Sequence, residues 1–196
     1  MIAAESNSRQ ARKQQRTAQK RKTRLQNNAL IVGGVIVIGA VLALAFSSTP
    51  NVMVGPAQIG KPISDFTLTD INGATHKISD YAGRPVLING WATWCPPCKA
   101  EMPALHEFYL KHKAEGFELL AINSGESQSA VQQFIDQKGF TFPVLLDTNK
   151  DVLDGLGVSG LPTSIFVGRD GTVKTIHIGG LSPDAIEKDL TPLLAQ

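Results

Sequence analysis

The sequence predicts an α/β domain: a central mixed sheet flanked by helices, with a β-hairpin extension on its N-terminal side, preceded by one transmembrane helix. Three observations carry this. From Ile63 onward, short apolar runs of strand length alternate with stretches of helical period. The alternation closes on a hairpin and a helix, which brings antiparallel pairing into a partly parallel sheet. Upstream of it all, Ala29–Phe46 (ALIVGGVIVIGAVLALAF) runs for 18 residues without a charge.

In chain order, residues 1–28 come first, a basic tail with eight Lys and Arg against Glu5 alone, a net +7. The other 168 residues hold eleven Lys and Arg against sixteen Asp and Glu, a net −5. The overall +2 therefore hides two opposite halves. An acidic main domain is a poor fit to nucleic acid, and no nucleic-acid partner is expected. At about 1.5 Å per residue, segment 29–46 spans roughly 27 Å as a helix, close to a hydrocarbon core. Basic flanks stay on the cytoplasmic side, so the N-terminus is expected inside and residues 47–196 outside. Ala43-Leu44-Ala45 has the small-x-small form of a cleavage site, but the apolar run is longer than a signal core. A retained single-pass anchor in the cell membrane is the expectation.

Residues 47–62 carry Pro50, Pro56 and Pro62 with Gly55 and Gly60, which reads as a linker. The domain is assigned to 63–196. Within it, Asp65–Ile78 reads as two short strands around the turn pair Asn72-Gly73. Pro85–Gly90 (PVLING) suits a buried strand. Pro97 to about Glu115 reads as a helix whose Met102, Leu105, Phe108 and Tyr109 share one face, with a kink expected at Pro103. Phe117–Ser124 is a strand, Ser129–Lys138 a helix, Phe142–Asp147 a strand and Asp151–Leu156 a short helix. Thr163–Val167 and Thr172–Gly179 flank a turn at Arg169-Asp170-Gly171 as a hairpin. The last helix starts at Pro183, with Ser182 as its cap.

The chain's only two cysteines, Cys95 and Cys98, sit in WATWCPPCK between the first long strand and the first long helix. A zinc site needs four ligands, and His76, His106, His112 and His177 show no ligand spacing. No metal is therefore assigned. A static staple across so short a loop gains least from loop entropy. Cycling between dithiol and disulfide fits the placement. A sulfur at a helix start is favoured as thiolate by the free amides and the dipole there, and the thiolate is the reactive species. Cys95 is read as the exposed nucleophile, and Cys98, one turn along and more buried, as the group that resolves the mixed disulfide. Pro96 and Pro97 remove two amide hydrogens between them and so limit thiolate stabilisation. No small-molecule cofactor is needed, since the cysteine pair carries the electrons.

VLINGWATWCPPCKAEMP and GLGVSGLPTSIFVGRDGTV together resemble the two signatures of the thioredoxin superfamily, in particular its TlpA/ResA-like membrane-anchored thiol-disulfide oxidoreductases. The likeness covers about Ile59 to Leu194. It implies a thioredoxin-like fold and a cis Leu161-Pro162 peptide beside the cysteines, where the Leu161 backbone faces the substrate chain. It also implies a catalytic role for Glu101, three residues after Cys98, as a partly buried carboxylate that shuttles the Cys98 proton. Asn89 falls where thioredoxins carry a buried, titratable aspartate. Trp91 is read as core, and Trp94 as part of the docking surface with Pro96, Pro97, Leu161 and Pro162. Gly90 departs from the pattern, which has a large aromatic there, and puts the local packing in question.

The resemblance implies a thiol-disulfide oxidoreductase that works more as a reductant than as an oxidant on extracytoplasmic proteins, apocytochrome c among them. Its own thiols would then be kept reduced by an integral membrane electron donor. Two alternatives remain beside this: a disulfide-forming oxidant, and a Cu(I) metallochaperone using the same cysteines, with Met102 close by. A peroxidase is a weaker reading, because its reactive cysteine belongs to a different local motif.

Overall fold

The computed structural model describes residues 54–194. The basic tail, segment 29–46 and the first part of the expected linker lie outside the described residues. Among the described residues no helix is long and apolar enough to cross a membrane.

One seven-stranded sheet organises the domain, in the order β2-β1-β5-β4-β3-β6-β7. Its strands are β1 (Thr67–Asp70), β2 (Thr75–Lys77), β3 (Val86–Trp91), β4 (Glu118–Ser124), β5 (Val144–Asp147), β6 (Thr163–Val167) and β7 (Val173–Ile178). β3, β4 and β5 run parallel, while β1, β2, β6 and β7 add antiparallel pairs at the two sides. The helices are α1 (Pro96–His112), α2 (Gln128–Lys138), α3 (Asp151–Gly155) and α4 (Pro183–Leu194). The mixed sheet, the N-terminal hairpin and the closing hairpin and helix are those expected.

β3 has all six residues buried, as a central strand covered on both faces requires. Alternation along it divides the core in two. Leu87 and Trp91 face a cluster with Met102, Leu105 and Phe108 of α1, Val131 and Ile135 of α2, and Ile186 and Leu190 of α4. Val86 and Ile88 face the other way, toward Phe66, Ile78, Val152, Leu153 and Leu156. Each such side chain removed from water contributes about 1.5–3 kcal/mol. The α1 stripe thus fastens the helix that carries the cysteines. α1 continues unbroken through Pro103, where an interruption is the usual cost of proline. Pro103 stands on the exposed side together with Lys99, so the carbonyl left without a donor is open to water.

The described part of the expected linker, residues 54–62, lies against the domain rather than leading loosely into it. Val54 and Ala57 pack on the second core, and Ala57 N–H donates to Leu156 O at 3.0 Å. Gly60 N–H donates to Val173 O at 2.8 Å, and Ser64 Oγ closes a pair of bonds with the Gly55 backbone. Proline and glycine here shape a strap along the domain, with Gly60 at φ +80° turning it.

Candidate active site

β3 delivers the chain to Cys95 at one end of the sheet, where α1 begins. Cys95 is the cap of α1, its Sγ accepting the Cys98 N–H at 3.3 Å. Pro96 and Pro97 occupy the opening helical turn, where amide hydrogens would have no helical partner anyway. The two sulfurs are joined as a disulfide with Cα atoms 5.3 Å apart. Cys98 is fully buried, and Cys95 keeps 3% of its surface, less than an exposed nucleophile was expected to show. What stands exposed beside the pair is Trp94, at 63%, with Pro96 and Pro97. Trp91 is buried in the core, as expected.

The second signature arrives on β6. Gly90 pairs with Thr163, so the Leu161-Pro162 peptide, which is cis, sits one step beyond, at the cysteine end of the sheet. Thr163 Oγ1 donates to Gly160 O at 2.7 Å and Gly179 N–H to Pro162 O at 2.8 Å, which pins the loop from both sides. Neither the N–H nor the C=O of Leu161 bonds to another described residue, so its backbone is available to an incoming chain. The space left by the side-chain-free Gly90 is occupied. A Cβ there would lie 3.1 Å from Leu153 Cδ2 and 3.6 Å from both Leu161 and Val158.

Glu101 follows Cys98 by three residues, hence on the same face of α1, and is 2% exposed. Its Oε1 accepts from Asn89 Nδ2 at 2.8 Å and its Oε2 from the Leu181 N–H at 2.7 Å. Asn89 Nδ2 also donates to Ser164 Oγ at 3.0 Å. Burial pushes the Glu101 carboxyl above the ordinary glutamate range, against the Leu181 and Asn89 hydrogen bonds and the charge of His177, which hold it down. A carboxyl so placed holds its proton to higher pH than an exposed glutamate and can exchange it with a neighbouring thiol. Met102 is fully buried in the core, one residue further on.

Glu126 escaped the sequence reading. Its carboxylate accepts from Thr93 N–H at 2.7 Å, Thr93 Oγ1 at 2.5 Å and Asn123 Nδ2 at 2.7 Å. It thereby fixes the segment that enters Cys95 to the end of β4. The only signal for it in the sequence is the polar run Asn123-Ser124-Gly125-Glu126 at a strand end, which says nothing of its partner 33 residues away.

A disulfide at a strand-to-helix junction, a cis-proline loop opposite it and a buried carboxyl behind it define a dithiol–disulfide exchange site on a thioredoxin-like fold. The profile of the AhpC/TSA family matches residues 59–176. Thiol-disulfide oxidoreductase ResA of Geobacillus kaustophilus is 41% identical over 132 residues, 67% of this chain and 76% of that protein. The ResA of Bacillus subtilis is 37% identical over 169 residues, 85% of this chain and 92% of that protein. Among solved structures, a thiol:disulfide interchange protein DsbE from Chlorobium tepidum superposes with a TM-score of 0.67 at 31% identity, covering 70% of this chain and 99% of its own. The chain belongs to the AhpC/TSA family of thioredoxin-like proteins and is a thiol-disulfide oxidoreductase of the ResA type.

Proposed function

We propose that the chain reduces disulfides in extracytoplasmic protein substrates, apocytochrome c among them, through the Cys95–Cys98 dithiol. In the reduced protein the Cys95 thiolate attacks a substrate disulfide, forming a mixed disulfide and releasing one substrate sulfur as thiolate. Cys98 then gives its proton to Glu101, and its thiolate attacks Cys95 Sγ. The Cys95–Cys98 bond closes, the mixed disulfide breaks and the second substrate sulfur leaves. Two electrons have passed to the substrate, and the bonded pair is the oxidised end of the cycle. Trp94, Pro96, Pro97, Leu161 and Pro162 line the docking surface.

The observation that carries this reading is the buried Glu101 carboxyl, held one turn beyond Cys98 by Asn89 and Leu181. It supplies a proton acceptor where Cys98 has no solvent to give its proton to. The proposal includes the anchor: segment 29–46 spans the cell membrane, the basic tail stays in the cytoplasm and the domain faces outward. In support, the alignment with the B. subtilis relative covers more of this chain than residues 54–196 can supply, so the likeness reaches upstream of the domain. Working as a reductant outside the cytoplasm, the protein needs re-reduction by an integral membrane electron donor.

Equilibration against defined dithiothreitol and glutathione ratios tests the direction. A potential well below roughly −200 mV is expected of a reductant. A value near about −120 mV would mark an oxidant and overturn the direction.

A further inference from the structure

Asn89 on β3, Ser164 on β6 and His177 on β7 are successive cross-strand partners. Their side chains therefore stand in one row on a single face of the sheet, the face that α1 covers. Asn89 and Ser164 are buried and bonded to each other, and Asn89 is bonded in turn to Glu101. His177 is half-buried and ends the row on the edge strand. Four residues further on, the chain has turned back to give the Leu181 N–H to the other Glu101 oxygen. The carboxyl is thus bonded by Asn89 from β3 and the Leu181 amide before α4, with His177 of β7 in the same cross-strand row. β6 contributes Ser164 by way of Asn89, and α4 brings no charged group to bear on it. Among the described residues His177 is the charged side chain that acts on Glu101 through space.

We propose that His177 is a positioning residue for the proton step: its imidazolium, at the rim of the sheet, holds Glu101 in the carboxylate form that receives the Cys98 proton. The inference rests on Glu101 having that role. Burial favours the neutral acid, and a nearby positive charge favours the anion. With His177 protonated, the anion gains and Glu101 is free to accept. With His177 neutral, burial is opposed by the hydrogen bonds alone, and Glu101 keeps its own proton to higher pH. No bond forms or breaks at His177. It sets how ready Glu101 is when Cys98 must lose its proton.

The test uses the full chain in detergent micelles with carboxyl-labelled glutamate. The Glu101 titration is followed by carbon NMR and identified as the signal missing from E101Q. Alongside it, single-turnover oxidation of the reduced protein by oxidised glutathione is timed across pH. In H177Q the Glu101 midpoint is expected to move to higher pH, and oxidation at a pH on the acid limb to slow about threefold. H177K keeps a positive charge at the rim and is expected to restore both. A Glu101 midpoint in H177Q equal to that of the unmodified chain overturns the proposal. Equal shifts in H177Q and H177K overturn it too, since packing and not charge would then be responsible. If the midpoints move as expected while E101Q keeps the unmodified pH–rate profile, it is the reading of Glu101 that has failed, and the proposal falls with it.

Discussion

Burial lifts the Glu101 carboxyl above its ordinary range even though two donors and a histidine act against it. The folded chain therefore binds this proton more tightly than the unfolded chain does. The stability so gained is fully present below the unfolded value, about 4.3, and is lost as pH rises through the raised folded value. Burial raises Asp147 in the same sense, although it accepts from Leu153 N–H at 2.8 Å and Val152 N–H at 3.4 Å at the start of α3. At Asp70 burial also pushes upward, but the Ala74 and Asn72 amides and His76 outweigh it, so its contribution runs the other way and is lost in acid. Only a comparison at one site isolates the Glu101 share. Thermal melts of the wild type and E101Q between pH 7 and 5 are expected to show a larger gain on acidification in the wild type. Equal gains would mean that the carboxyl is not held above its unfolded value. Cys95, Cys98, Glu101 and Pro162 could all be picked out from the sequence because they lie within two short motifs. Glu126 could not. It meets the segment before Cys95 between two loops, and sequence distance says nothing of that meeting.

Gly90 shows what an element does when its expected side chain is missing. β3 keeps its register with β4 and β6 through this position, and Leu153, Leu161 and Val158 close over it. Restoring the aromatic of the family pattern therefore meets occupied space. Gly90→Phe is expected to cost about 1–3 kcal/mol in urea unfolding, the usual penalty of overpacking. No loss of stability would show that the neighbouring side chains shift aside freely. The elements themselves were legible from periodicity, with α1 beginning at Pro96 and ending in a 3-10 turn at Lys113–Glu115. Pro103 was misleading as a sequence signal. A proline weakens a helix by the bond it removes, and on an exposed face water makes up much of that loss.

Across the whole molecule, the strap of residues 54–62 is the main departure from what composition foretold. Proline and glycine exclude regular structure, but they do not exclude attachment, and Val54 and Ala57 still have apolar surface to bury. A chain beginning at Val54 is expected to be more stable than one beginning at Ile63 by roughly 2–4 kcal/mol, the sum of that burial and the bonds to Leu156 and Val173. Coincident melting curves would show the strap to be an ornament of the domain.

The strap also decides where tension goes. Its bonds run to Leu156 behind the sheet and to Val173 at the start of the edge strand, while the disulfide-bearing helix lies on the opposite face. A pull on the chain upstream of Val54 is taken up first by these bonds and by α3. Strand β3 and the cysteines it carries come later along the chain, so a force applied at Val54 meets the strap's bonds before it meets the reactive end of the domain.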